Sequence, residues 1–376
     1  MTTVDAGLLL TAACLFTLYR RLFQILPKEK SQFLAVIPLK KITDDTWQGL
    51  NLTQYGFFTA SAGLISCATF LLLAGSVSVS PTACLLLILA VLAVCLPAAK
   101  IIATVVEKNP HGFTVGGASF TGILLAPLFL WVADNVNQRI NGEGLPTLAI
   151  LAAISISYVI GEGIGRLACL SFGCCYGRPL SQSPRWLQSS CRHWPHSYQG
   201  KTKKISFAGK MEDINVVPVQ AATCVIYTTL ALACASLFFH NQFDTALLVS
   251  LLGSQAWRLW SETLRADYRG NNKHLSAYQI MTLVASLYTI VAVSLMPSGI
   301  AVSASAELGL STLWQTEVVI ALQAIALAMF IFAGTSTITT AQISFSLAPD
   351  WQTQTDGPRS SASTATQNIA QKKAPN

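Results

Sequence analysis

Two short stretches set acidic and basic residues at helical spacing inside or beside long apolar runs. In 161-GEGIGRLACLSFGCCYGRP-179, Glu162 and Arg166 are four apart and share one helix face. In 257-WRLWSETLRADYRG-270, Arg258, Glu262 and Arg265 fall at i, i+4 and i+7, again on one face. An ionisable side chain in a membrane span is costly and points into the protein or a wet cavity. Glu162 with Arg166 is therefore either a structural ion pair or part of a site for a charged ligand. Arginines at a span end also snorkel to lipid head groups, but two separate clusters in one chain favour a site. A guanidinium offers a planar fork of donors that matches phosphate. Two arginine-bearing helix ends around one cavity would suit a phospholipid head group.

Around the first cluster lie Gly161, Gly163, Gly165, Gly173 and Gly177. Glycine at this density argues against an uninterrupted helix. It fits either a break where backbone amides approach a ligand or close helix packing through small residues. Cys169, Cys174 and Cys175 have no second pair at a zinc-ligand spacing, so no metal is expected. They read as small buried packing residues, with a thiolate beside arginine as the chemical alternative. His111 lies outside the apolar runs, and Tyr55 opens one of them.

These residues must be held by membrane helices. Of 376 residues, 52% are hydrophobic and 11% charged, against about 25% charged for a soluble domain. Runs without strand-like alternation, long enough to cross about 30 Å of hydrocarbon, must be helical. The spacing predicts nine spans, at 6–24, 54–76, 83–106, 118–134, 147–170, 219–240, 244–264, 277–296 and 317–341. The fold class is all-α, a polytopic transmembrane bundle of about seven core spans plus extra terminal ones. Residues 1–52 form an N-terminal hydrophobic segment, an anchor or interfacial helix, followed by a polar, lysine-bearing connection. Residues 53–296 form the main membrane domain, with a polar loop at 172–217; 297–349 add a C-terminal span, and the Ser/Thr/Gln/Pro-rich 350–376 read as a disordered tail. The net charge of +7 sits in loops, near lipid head groups, and does not suggest nucleic acid.

Together these stretches resemble the prolipoprotein diacylglyceryl transferase family. The stretch 165-GRLACLSFGCCYGR-178 is similar to that family's signature, GRxGNFxNxExxGR. The stretch 116-GGASFTGILL-125 resembles its GGMSFHGGLL segment, 258-RLWSETLR-265 its RFxxExxR segment, and 217-VPVQ-220 its HPxQLYE stretch. The order agrees, from about residue 53 to 296. The resemblance implies a multi-pass enzyme of the bacterial inner membrane that needs no cofactor. Such an enzyme moves diacylglyceryl from phosphatidylglycerol to a prolipoprotein cysteine, or here another thiol acceptor, releasing glycerol phosphate. It places Arg166, Arg258, Glu262 and Tyr55 in the catalytic set. It assigns Arg166, Gly177, Arg178, Arg258 and Arg265 to the head group.

The departures are as specific. Thr121 stands at the family's histidine, Cys169 at its signature asparagine and Cys174 at its glutamate; Ala222 and Thr223 replace Tyr and Glu after the Pro-x-Gln. Threonine cannot accept a proton near neutral pH as imidazole can. Glu162, Glu262, His111 and a cysteine thiolate are the bases left. The alternative to an enzyme is a phospholipid-binding membrane protein on the same scaffold. A thiol redox sensor, which would need Cys174 and Cys175 exposed, is a third reading. Lys and Arg are concentrated in the loops after the odd spans, which puts the 172–217 loop in the cytoplasm. The resemblance implies that the signature faces outward.

Overall fold

The computed structural model describes residues 2–108, 114–192, 194, 196–268, 275–296 and 300–346. His111 and the tail from 350 onward lie outside the described residues. Among the described residues nine long helices dominate: α1 (Thr3–Ile25), α2 (Gln54–Ser76), α3 (Pro81–Glu107), α4 (Val115–Asn141), α5 (Thr147–Phe172), α8 (Val219–Phe239), α9 (Phe243–Thr263), α10 (Ala277–Leu295) and α12 (Thr316–Gly334). Shorter helices α6 (Arg185–Cys191), α7 (Lys204–Phe207) and α11 (Ala306–Leu313) lie in the connections. Eight of the long helices are apolar enough to cross a membrane; α9, with its charged end, is the exception. Side chains such as Leu86, Leu89 and Ile101 on α3, or Ile320, Leu327 and Phe332 on α12, are exposed. That is the arrangement expected of surfaces facing lipid.

Helix ends follow local chemistry. Ser80 caps α3 with Pro81 at the first helical position, and Ser276 with Gln279 forms a capping box on α10. Gly173, at φ 72°, closes α5 in the left-handed region.

Helix α5 is the axis of the bundle. It is 72% buried over its apolar window, against 44% for the next most buried helix, α8. It runs unbroken through Gly161, Gly163 and Gly165, so of the two readings of these glycines close packing holds. A Cβ on Gly161 would meet the Ser66 side chain of α2 at 2.8 Å, and one on Gly163 would meet Tyr227 of α8 at 3.0 Å. These glycines let neighbouring helices approach, and packing overrides their weak helix propensity. Hydrogen bonds between helices reinforce the contacts. Ser155 and Ser250 pair at 2.6 Å between α5 and α9, and Ser66 donates to the Ser157 carbonyl at 2.7 Å. Helix α1 packs on α8, where the Tyr19 and Thr228 hydroxyls pair at 2.9 Å.

One end of the bundle carries a three-stranded antiparallel sheet, ordered β1 (Phe33–Lys41), β2 (Thr46–Thr53), β3 (Thr335–Ser344). The sequence pattern alone predicts a plain polar connection ahead of α2 and a last span running to 341. Instead α12 stops at Gly334, and the β-branched run 335-TSTITT-340 pairs with β2. The Asn51 side chain ties the two strands by donating to the Thr339 carbonyl at 3.2 Å. Gly56 of α2 lies so close to Gly334 that an added Cβ would sit 2.0 Å from its Cα.

The 172–217 loop lies at the same end. Gln199 N donates to the Pro27 carbonyl at 3.1 Å, and Thr202 bonds Gln32 at 2.9 Å. Lys203 is buried there, donating to the carbonyls of Leu26 (3.1 Å) and Ser171 (2.7 Å). Burial lowers its pKa to about 8. Lys203 thus serves packing and should not be counted as a topology signal.

Candidate functional site

Glu162 is the hub. It sits in the second half of α5 with its side chain 3% exposed. Arg166, one turn on, and Arg258, from α9, both donate to its carboxylate. The second arm of Arg258 donates to Ser119 of α4 at 2.9 Å. Gly116 makes room for that arm, since a Cβ there would stand 3.1 Å from Nη1. Tyr158, one turn before Glu162, lies within Coulombic reach of Arg258 and Glu162. Helices α5 and α9 therefore deliver one buried Arg–Glu–Arg triad, in which two guanidiniums share one carboxylate. One positive charge is left unbalanced within the triad. The Nε–H groups of Arg166 and Arg258 are both buried without an acceptor. Buried charged donors of this kind are expensive to leave unmet, and a mono-anionic phosphodiester would supply both the charge and the acceptors.

Arg265, just past the end of α9, is engaged differently. It forms a two-pronged pair with Asp267 at 2.8 and 2.6 Å and stands 3.8 Å from Glu262. Glu262 also accepts from Ser276, the cap of α10, at 3.3 Å. Arg178 donates to the Thr263 carbonyl, so its guanidinium caps the C-terminus of α9. Gly177 pairs with Arg265 as an isolated bridge, and a Cβ there would meet the Val217 carbonyl oxygen at 2.2 Å. The geometry at Gly177 is thus close packing of 177–179 between the end of α9 and 216–217. Tyr55 meets Phe172 edge-on at 6.0 Å and lies within Coulombic reach of the three cysteines and Arg166.

Past the C-terminus of α5 the chain hooks back. The N–H groups of Gly173 and Cys174 both donate to the Cys169 carbonyl, at 2.8 and 3.2 Å. The sulfurs of Cys169, Cys174 and Cys175 gather within 4.8 Å of one another. Hydrogen bonds from the Cys169 and Cys174 thiols hold the Cys175 thiol well below its usual pKa, and Arg265 and Arg166 add to the effect. Thr121 donates to the Gly117 carbonyl of its own helix at 3.0 Å and offers no base.

The sequence reading did not find Ser119 as a partner of Arg258, nor Tyr158 beside Glu162. The second was available, because 158, 162 and 166 share a helix face.

His196 is another buried ionisable group, inside the 172–217 loop and 6% exposed. It pairs with the Tyr198 hydroxyl at 3.2 Å, and burial lowers its pKa to about 4. The unfolded chain, with a histidine near pH 6.5, binds more protons between these two values. The loop's stability is therefore full above pH 6.5 and falls as pH drops towards 4, by up to about 3 kcal/mol. Hydrogen-exchange protection factors at 196–216, corrected for the intrinsic rate at each pH, should fall over that window. A His196→Gln variant should lose the pH dependence.

A family model described as prolipoprotein diacylglyceryl transferase matches residues 46–295. No curated protein matches the chain. The matched region holds the Arg–Glu–Arg triad, the cysteine hook, Tyr55, Thr121 and the Glu262–Arg265 pair, in a multi-pass helical membrane protein. On that match over most of its length, the chain belongs to the prolipoprotein diacylglyceryl transferase family.

Proposed function

We propose that this chain transfers diacylglyceryl from phosphatidylglycerol to a thiol, the cysteine of a prolipoprotein or another thiol acceptor, in the bacterial inner membrane. The observation that carries this reading is the triad: two buried guanidiniums, one shared carboxylate and two Nε–H donors without acceptors. In the reaction a thiolate attacks the glycerol carbon that bears the phosphate. The C–S bond forms as the C–O bond breaks, glycerol phosphate leaves with the electron pair, and the thiol proton passes to a base or to solvent. Arg166 and Arg258 neutralise the phosphate in the donor and stabilise it as it departs. Glu162 holds both forks in place before the donor arrives. The lipid chains lie against apolar helix faces.

A specific observation favours a second reading, a phospholipid-binding protein without transfer. At the family's histidine position, the Thr121 hydroxyl is spent on its own helix. Purified protein incubated with labelled phosphatidylglycerol and a lipobox peptide separates the two. Thioether product together with released glycerol phosphate supports transfer. Saturable lipid binding with no release supports the second reading. Thr121→His should leave lipobox transfer unchanged or lower it, because the asparagine and glutamate positions have changed to Cys169 and Cys174 as well. A large gain would show that the missing imidazole alone limits the site and that the acceptor is an ordinary prolipoprotein.

A further inference from the structure

We propose that Cys169, Cys174 and Cys175 form a three-sulfur binding site for a soft metal ion, Cu(I) foremost. The sequence conceals such a site, because two of the ligands are adjacent and no paired motif exists. The fold assembles it from the last turn of α5 and the hook that follows.

Distance is the first argument. A metal about 2.3 Å from each sulfur requires sulfur separations of about 3.8 Å in a tetrahedral site and about 4.0 Å in a trigonal one. Cys169 and Cys175 are 3.9 Å apart, and all three sulfurs lie within 4.8 Å of one another. Closing the set needs movements of less than about an ångström.

The backbone is the second argument. Cys175 adopts φ 57°, in the left-handed region that non-glycine residues rarely occupy. Such a residue costs about 1–3 kcal/mol and persists only where its surroundings impose it. Here they do. Gln220 of α8 donates to the Cys174 carbonyl at 2.8 Å, Ile205 N to the Gly173 carbonyl at 3.0 Å, and Ala266 N to the Tyr176 carbonyl at 3.0 Å. The hook is clamped on three sides, and the result is three convergent thiols.

Ligand type and charge choose the metal. Among the described residues the ligand group consists of sulfur alone, with no histidine or carboxylate in it. Zinc would need a fourth ligand, whereas Cu(I) is satisfied by three soft thiolates. Three thiolates around Cu(I) carry two net negative charges. The guanidiniums of Arg166 and Arg265 are within Coulombic reach of Cys175, and Arg166 also of Cys169, and they offset part of that charge. A bound ion would fix the hook carrying the signature Arg178 and the glycine before it. The site does not depend on the transferase reading.

The test uses the purified full chain, reduced and anaerobic, titrated with Cu(I) against a competing Cu(I) chelator. One Cu(I) per chain is expected, with thiolate-to-metal absorption in the ultraviolet. Bound metal should protect these three cysteines from maleimide, read by peptide mass spectrometry. Each single Cys→Ser change at 169, 174 or 175 should weaken binding at least about 100-fold, and Cys191→Ser should leave it unchanged. If a serine variant fails to fold, the maleimide pattern of the unaltered protein still decides. Binding that survives the triple serine variant, no stoichiometric uptake, or a disulfide between Cys169 and Cys175 in the purified protein would overturn the proposal.

Discussion

Glu162→Ala should destabilise the protein by about 3–5 kcal/mol, because it leaves two buried guanidiniums facing each other with no counter-charge. The carboxylate is 3% exposed and accepts from both Arg166 and Arg258, so water cannot replace it without entering the bundle axis. The effect is a charge effect and not a cavity effect. Glu162→Gln keeps the volume and should still lose most of that stability. Replacing all three residues by apolar ones, as in Glu162→Leu with Arg166→Leu and Arg258→Met, should recover much of it, since a well-packed apolar set can match a buried ion triad. Thermal unfolding in one detergent, compared across the three variants, is the measurement. A loss under about 1 kcal/mol for Glu162→Ala would mean the arginines find other partners, and the hub description would fail.

The same triad shows how much of the molecule was legible in the sequence. Helix α5 was visible as an apolar run, and Glu162 with Arg166 as a pair on one face, because both depend only on helical period. The convergence of Arg258 on that pair depends on α9 crossing α5, which periodicity does not encode. The glycines of α5 left two readings open. Their propensity argues for a break, but Gly161 and Gly163 are surrounded by α2 and α8, and packing decides. The sheet was hidden for another reason. Its third strand follows directly on an apolar helix and lies far along the chain from the other two, so hydropathy alone ran the span through it. Gly177 and Arg178 stood out in the sequence through the signature-like stretch they close. Their local reasons, a close approach to Val217 and a cap on α9, are contacts between distant segments. The convergence of the three cysteines was hidden because spacing rules look for paired ligands, whereas a left-handed residue after a helix cap brings neighbours in sequence to one point.

The second large effect concerns turnover. Arg258→Ala should lower transfer from phosphatidylglycerol by about 100- to 1,000-fold, the usual cost of removing one preorganised donor from a departing charge. Arg258 does three things at once. One arm is fixed by Ser119 at 2.9 Å, the other reaches Glu162, and Nε–H remains open. Lysine can supply the charge but has no planar fork, so Arg258→Lys should recover only a small part of the rate. Arg166→Ala should behave alike, since Arg166 also pairs with Glu162 through one arm and leaves Nε–H open. Arg192→Ala, on the exposed part of the 172–217 loop, removes one positive charge from the surface and should cost little. The comparison separates a specific clamp from a general attraction of anionic lipid to a basic surface. If the loss lies in kcat with lipid binding retained, Arg258 acts mainly on the leaving phosphate. If kcat/KM falls through KM alone, it is a head-group anchor. Full activity in both alanine variants, with the fold intact, would remove the arginine pair from the reaction. The two unmet Nε–H donors would then need another anion to explain them.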